Sequence, residues 1–478
     1  MPPRCTDLTD TRALFARAAS LASSYREAMA DPAGEPCSYA EALALFEAPL
    51  PEQGQSAEAV LEALATAAAP GLRAMTGPRF FGWVIGASHP MGVAADILTS
   101  AWGQNAANHV ASPAAAAVET VAARWLLEVL DLPREASVGF VTGATAANHV
   151  CLAAARGAVL KRVGWDVHAH GLFGAPPIHV VIGDDAHTTV FSALQFLGLG
   201  HGRVIRVATD DQGRMRADAF AAALEGLTGP MIVITQAGQI NTGAFDPMAD
   251  ILPLARAHGA WVHVDGAFGL WARASPPIRP LAHAIEHADS WATDGHKWLQ
   301  TPYDCGYAIV RDAEAHRDAM TIAASYLPPA ASGERDPSHF VPELSRRARG
   351  FATWALIRHF GREGIAAMVA RHVALAARMA RVLAAEPGIA VLNEVVLNQV
   401  IVRFGDGDRL TQDTIARIQS EGVLFAGGAR WRGQWVLRLS VISAPTTEPD
   451  ADRTVEAILG AWRRVREEQS LRETRTAG

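Results

Sequence analysis

Lys297 is one of only two lysines in a chain of 478 residues, the other being Lys161. Removing these two from the 42 basic side chains leaves 40 arginines. A guanidinium stays protonated at any ordinary pH and is a poor nucleophile. An amine can lose its proton when its surroundings lower its pKa, and can then form a Schiff base with a carbonyl. A sequence that has drifted to arginine keeps lysine where an amine must react. Lys161 has a plainer reading. It closes an alanine-rich helical stretch and is followed by Arg162, as expected of positive charge at a helix C-terminus. Lys297 sits in "DGHKWLQTPYDCG" (294–306) with His296, Trp298, Tyr303 and Cys305, types not usually gathered on a solvated face.

Other reactive types recur after short apolar runs. "SVGFV" (137–141) leads into "TGATAAN" (142–148), a small-residue turn with a hydroxyl that opens a helix. Backbone N–H groups at such a helix start, with Thr145, suit a single phosphate; a plain turn capped by threonine is the simpler alternative. The same run resembles the start of a dinucleotide loop, but Ala147 and His149 stand near where that loop needs glycines, so no dinucleotide site is expected. "IHVVIG" (178–183) leads to His187, "MIVI" to Thr235, and "WVHV" to Asp265. Taken singly, Asp265 reads equally as a turn cap and His187 as a loop histidine. Together they supply what a pyridoxal phosphate site needs. That site takes a lysine for the carbonyl, a carboxylate that keeps the pyridine nitrogen protonated, a flat side chain on the ring, and a helix N-terminus for the phosphate.

The elements that must position these residues alternate. β-branched runs at 137–141, 178–183, 203–207, 231–235, 261–265 and 307–310 are mostly separated by helical stretches such as 146–160, 186–197, 217–226 and 248–258. That alternation predicts a mostly parallel sheet covered on both faces, with ligands beyond the carboxyl ends of its strands. Residues 7–75 read as helical with a break at "AAAPGL". A Pro- and Gly-containing loop, "YLPPAASGERDPSH" (326–339), precedes helices over 346–385. Short strands at 399–404 and 435–440 close the chain, and the terminal "RRVREEQSLRETRTAG" reads as a solvated helix end.

The chain resembles the group II pyridoxal-phosphate-dependent amino acid decarboxylases, the family of the aromatic-amino-acid and glutamate decarboxylases. The resemblance runs from about residue 70 to 445. It is carried by "PRFFGWVIGASHP" (78–90), "ASPAAAAVE" (111–119), "TGATAAN", "DDAHTTV" (184–190), "GAFDP" (243–247), "HVDGAFG" (263–269), "DGHKW" (294–298) and "ELSRRARGFATWALIRHFG" (343–361). It implies an α/β fold of the aspartate-aminotransferase type (fold type I) and a homodimer with sites at the subunit interface. It also implies roles. Lys297 is the Schiff-base lysine, Asp265 pairs with the pyridinium nitrogen, His187 stacks on the ring and Ala267 packs on the other face. Thr235 lies near the phenolic oxygen. Ala144, Thr145, Asp294 and His296 match phosphate-side positions, and Trp83, Val84, Ile85 and Gly86 match a substrate-side segment. Three departures stand out. Asp294 takes a position where the family often has asparagine, and a carboxylate near a phosphate is repulsive. The segment 83–86 lacks the Tyr-Phe-Pro-Thr of aromatic decarboxylases. The loop tyrosine that protonates the substrate carbon in the animal aromatic enzymes is replaced, by position, with Pro337. His339, or failing it Tyr326, is the expected proton donor.

At 478 residues the chain exceeds one compact core. The expected division is a helical dimerisation segment at 1–85, a large cofactor domain at 86–360 and a small α+β domain at 361–478. Half the residues are hydrophobic and the net charge is −7, with no basic stripe, so nucleic acid is not an expected partner. Four scattered cysteines show no metal-type spacing and suggest a reducing, cytoplasmic setting; no metal is expected. No apolar run reaches the roughly 18 residues of a membrane span. The expected activity is decarboxylation of an L-amino acid to its amine. One rival is a different outcome at the same site, either aldehyde formation with ammonia and peroxide or carbon–carbon cleavage. Another is a cofactor-binding protein without catalysis, which a visible cofactor band unresponsive to amino acids would favour. Trp83, Phe80, Phe81 and Trp102 read equally as an apolar pocket or as core.

Overall fold

The computed structural model describes residues 10–31, 35–321 and 334–477. Tyr326 and most of the loop 326–339 therefore lie outside the described residues. Seven strands form the central sheet: β1 (Ser137–Val141), β2 (His179–Gly183), β3 (Ile205–Val207), β4 (Met231–Gln236), β5 (Trp261–Asp265), β6 (Ser290–Asp294) and β7 (Gly306–Val310). Their order is β1-β7-β6-β5-β4-β2-β3. Only β7 runs antiparallel to its neighbours. The carboxyl ends of the other six and the start of β7 therefore share one edge. Strands β1, β4, β5, β6 and β7 are buried at every residue, as a sheet covered on both faces requires.

Strand β6 has no counterpart among the runs read from the sequence. "SWATD" has one β-branched residue and no apolar run, and it is held in place by a paired strand on each side. Two helices before the sheet were likewise not anticipated. They are α4 (Pro90–Trp102) and α5 (Pro113–Val129), numbered after α1 (Thr11–Ala28), α2 (Tyr39–Phe46) and α3 (Ala57–Ala68); α6 (Ala144–Lys161) follows β1, where the sequence predicts a helix. In α6 the buried positions are mostly small, among them Ala147, Cys151, Ala153, Ala154, Ala155 and Gly157. These let the helix lie close over β5, β6 and β7. Lys161 ends α6, two-thirds exposed, paired with Glu314 at 3.3 Å and Asp318 at 3.2 Å. Its surface-charge reading holds.

A four-stranded antiparallel sheet, in the order β10-β11-β9-β8, follows: β8 (Ile389–Val391), β9 (Gln399–Phe404), β10 (Gly427–Trp431) and β11 (Gln434–Ser440). Its core is closed by Leu375, Met379 and Leu383 from the helix Gly350–Ala384 and by Trp462 from the helix Glu448–Ala477. The chain before the substrate-side segment is pinned here too. Phe81 N–H donates to Phe425 O at 2.8 Å, and Phe81 O accepts Ser440 N–H at 3.0 Å. No residue of α1, α2 or α3 is buried, and Phe15, Leu43, Phe46, Val60 and Leu64 are each about half exposed or more. Among the described residues no helix is long and apolar enough to cross a membrane.

Candidate active site

The shared edge of the sheet gathers the reactive residues by register. Val141 pairs with Gly306 and Gly306 with Asp294, so the ends of β1 and β6 flank the start of β7. Asp265 closes β5 opposite Gln236, one residue past Thr235 on β4. His187 follows β2 and accepts a hydrogen bond from Thr189 N–H as the N-cap of the helix Thr188–Phe196. Gly306 is obligatory in this layout. A Cβ there would come within 2.5 Å of Gly143 Cα, a backbone clash that no side-chain motion relieves.

Lys297 lies in the turn after β6. Its amine is 3.0 Å from Asp294, whose other oxygen accepts Ala144 N–H at 2.6 Å and lies 3.5 Å from His296 Nε2. Gly143, the N-cap of α6, has no side chain to cap it, so Asp294 takes the Ala144 N–H and the other N-terminal N–H groups are left for an outside acceptor. Ala144 is buried and Thr145 exposed at this turn. The His296 and Tyr303 rings lie tilted by 33° with centroids 4.4 Å apart.

Asp265 is 4% exposed and accepts one hydrogen bond, from Ala267 N–H at 3.3 Å. It has no ion-pair partner among the described residues within bonding distance. Burial pushes its carboxyl above the ordinary range, while His187 and Lys297 pull it back. Burial pushes the His187 imidazole down, and Asp265 opposes that. A buried carboxylate without a bonded cation is a costly arrangement unless a cation is brought to it. A protonated pyridine nitrogen is such a cation, so the residues present fit pyridoxal phosphate. Thr235 is buried on the adjacent strand, its hydroxyl donating to His263 O at 3.2 Å.

The substrate-side segment is fastened to the lysine turn. Gly86 N–H donates to His296 O at 3.1 Å, and a Cβ on Gly86 would lie 2.2 Å from Lys297 O. Trp83 and Val84 both have positive φ, 51° and 59°. For a β-branched residue this is strained backbone, costing on the order of 1–3 kcal/mol. Val84 is buried and Ile85 half-buried, whereas Trp83 is 50% exposed and stands with Phe80 and Phe425 in one aromatic cluster. Phe81 belongs to the small-sheet core, whereas Trp102 is about half exposed and packs edge-on against Phe351.

His339 is set apart from this group. It lies in a short 3-10 turn, Pro337–Phe340, whose Phe340 O lies against Gly139 of β1. Its charged neighbours are Asp336, Arg317 and Arg335 rather than Lys297, Asp265 or His187. Pro337 is buried.

Sequence reasoning missed Gln300. Fully buried with φ of 63°, it donates to Lys297 O and Ile442 O and accepts from Ala87 N–H and Ala444 N–H. One amide thereby ties the lysine turn to the substrate-side segment and the small sheet. It also missed a chain of buried polar groups under Asp265. Trp261 Nε1–H and His263 Nδ1 meet at Ser290 Oγ, and His263 Nε2 meets Asn148 Oδ1 at 2.8 Å. Neither feature has a sequence signal, because both depend on which segments meet.

Comparison with known proteins bears on the family and the fold. The model of the pyridoxal-dependent decarboxylase conserved domain matches residues 40–404. The aromatic-L-amino-acid decarboxylase of Sus scrofa is 30% identical over 419 residues, 84% of this chain and 85% of that protein. The phenylacetaldehyde synthase of Arabidopsis thaliana is 26% identical over 88% of this chain and 87% of its own length. The crystal structure of Oryza sativa TDC with PLP and tryptamine superposes with a TM-score of 0.88 at 23% identity, covering 97% of this chain and 99% of that one.

Proposed function

The chain belongs to the pyridoxal-dependent decarboxylase family, and on that premise we propose that Lys297 carries pyridoxal 5′-phosphate through its amine while the residues around it direct the chemistry. Membership makes the protein a pyridoxal-phosphate-dependent carboxy-lyase of amino acids with the aspartate-aminotransferase-type fold. When bound, the cofactor supplies an electron sink for the bond that breaks as carbon dioxide leaves. The observation that carries the residue assignment is Asp265, a buried carboxylate with, among the described residues, a single 3.3 Å hydrogen bond and no cation bonded to it. In this reading it holds the proton on the ring nitrogen. At about 4 Å and an effective dielectric near 20 such a pair gains roughly 4 kcal/mol, about three pKa units, which is enough to keep both partners charged.

With pyridoxal phosphate bound, His187 would cover one face of the ring and Ala267 the other, and Thr235 would lie beside the phenolic oxygen. The N-terminus of α6, with Ala144 and Thr145, would hold the phosphate, and His296 would line that side. Trp83, Val84, Ile85 and Gly86 border the substrate. The aromatic cluster of Trp83, Phe80 and Phe425 favours an amino acid with an apolar side chain. His339 delivers a proton to the α-carbon. Its distance from the Lys297 group within one chain is what a homodimer with shared sites accommodates, and the uncovered apolar side chains of α1–α3 support that assembly. The division at 85 and 360 goes with this reading; Gly361, φ 64°, breaks the helix Gly350–Ala384 at the second boundary. A cytoplasmic setting suits Cys37, Cys151 and Cys305, none of which is in a disulfide.

Aldehyde formation is the second reading. It is favoured by Pro337 standing buried where a proton donor is expected, and by the likeness to an aldehyde synthase. Both readings are tested by incubating the protein with each amino acid, under air and under nitrogen, and quantifying amine, carbon dioxide and peroxide by mass spectrometry and a peroxidase assay. Amine without peroxide supports the decarboxylase. Mostly aldehyde with peroxide under air transfers the assignment to the oxidative outcome. His339→Phe should lower amine and raise the peroxide share; equal products in variant and wild type would remove His339 from the chemistry.

A further inference from the structure

Asp294 reaches both anchoring points of the cofactor. One oxygen accepts Ala144 N–H at 2.6 Å, at the start of α6, where the N-cap Gly143 has no side chain of its own. The other lies 3.0 Å from the Lys297 amine, and the side chain is 3% exposed. The His296 ring approaches the first oxygen at 3.5 Å. A Cβ on Gly143 would lie 3.2 Å from that oxygen and 3.0 Å from the His296 ring, so the carboxylate is packed into the mouth of the turn. A phosphate seeks the same thing the carboxylate has found, a backbone N–H at a helix N-terminus with cations nearby. Two anions at one donor repel, and burial strengthens the repulsion.

We infer that Asp294 is a charge gate on cofactor loading: its carboxylate and the cofactor phosphate compete for the Ala144 N–H, and loading requires the carboxylate to yield it. This rests on the reading of 143–145 as the phosphate cradle. It differs from counting Asp294 among the phosphate's holders, because the side chain then weakens retention of the phosphorylated cofactor while keeping Lys297 paired. An asparagine of the same shape would present an N–H to the phosphate and lift the penalty.

The test strips the full-length protein of cofactor and titrates it, by quenching of tryptophan fluorescence, with pyridoxal 5′-phosphate and with pyridoxal. Pyridoxal shares the aldehyde and lacks the phosphate, so any effect on the Lys297 amine alone moves both ligands together. Inorganic phosphate serves as a competitor in a third series. Asp294→Asn is expected to tighten pyridoxal 5′-phosphate by about tenfold more than pyridoxal, and to lower the concentration of inorganic phosphate that competes. An equal change for both ligands would show that Asp294 acts only through Lys297 and overturn the gate. Weaker binding of the phosphorylated ligand in the variant would make Asp294 a holder and overturn it as well. Wild type that does not distinguish the two ligands would bring down the cradle reading itself, and the gate with it. If Asp294→Asn fails to give a cooperative thermal transition, Asp294→Ser carries the same comparison.

Discussion

Asp265 and Lys297 can be separated by replacement because one holds the ring nitrogen and the other the carbonyl end. Asp265→Asn should still take up cofactor, since the amine and the helix start are untouched. Its kcat should fall on the order of 10²-fold or more, the usual cost of losing a group that stabilises developing charge. A variant with near wild-type kcat would remove the electron-sink role from Asp265. Lys297→Ala should lose covalent retention altogether. Borohydride treatment of wild type followed by peptide mapping should find the label on Lys297. A label on Lys161 instead, which is exposed and paired with Glu314 and Asp318, would refute the assignment.

The elements hold these side chains through a few buried polar fasteners. Arg346 and Glu119 form an ion pair at 2.6 Å with both side chains almost fully buried, and Arg346 also donates to Ala106 O and Phe140 O. The pair joins the segment after the loop to α5 and to β1, the strand that leads into the phosphate turn. Breaking such a pair leaves a buried charge uncompensated, which costs about 3–5 kcal/mol. Arg346→Met should therefore destabilise by roughly that amount in urea titrations, whereas the double variant Glu119→Leu, Arg346→Met should recover much of it. A double variant no more stable than the single one would mean that the arginine's backbone contacts, rather than its charge, do the fastening.

Across the whole molecule, acid should unfold the protein through histidines that are folded neutral. His263, His316 and His372 are buried, and each has its pKa pushed down to about 3. A folded pKa below the unfolded value of about 6.5 gives stability that is full above 6.5 and lost as pH falls toward 3. Asp246 works the other way. Burial raises it to about 6, so its contribution is full below about 3.9 and lost as pH rises through 6. Near pH 5 these four groups leave the unfolded chain with about two extra protons, a slope near 2.7 kcal/mol per pH unit. His316 bonds Ser137 Oγ and Phe340 O, remote from Lys297 in the sheet. His316→Gln should reduce the measured slope by about one proton, and an unchanged slope would refute its burial as the neutral form. At the same scale, deletion of residues 1–70 should give protein that sediments as a monomer or aggregate and retains no cofactor. An active, well-folded monomer after that deletion would dismiss the proposed homodimer.

The lysine, the carboxylate after "WVHV" and the small-residue turn were legible because each reaction demands a residue type that little else supplies, and because alternating strands put strand ends where ligands bind. Strand β6 was not legible, although it carries Asp294. Five residues without an apolar run become a strand only when β5 and β7 pair with them on both sides. Gln300 was equally silent. A glutamine after "HKWL" says nothing until the fold brings Ala87, Ile442 and Ala444 to its amide. The role read for Asp294 also depended on the tertiary structure, since a carboxylate holds a helix N–H or blocks it according to distance alone. Local chemistry is written in residue types. The partners of a buried polar group are written in which distant segments meet, and no spacing along one chain records that.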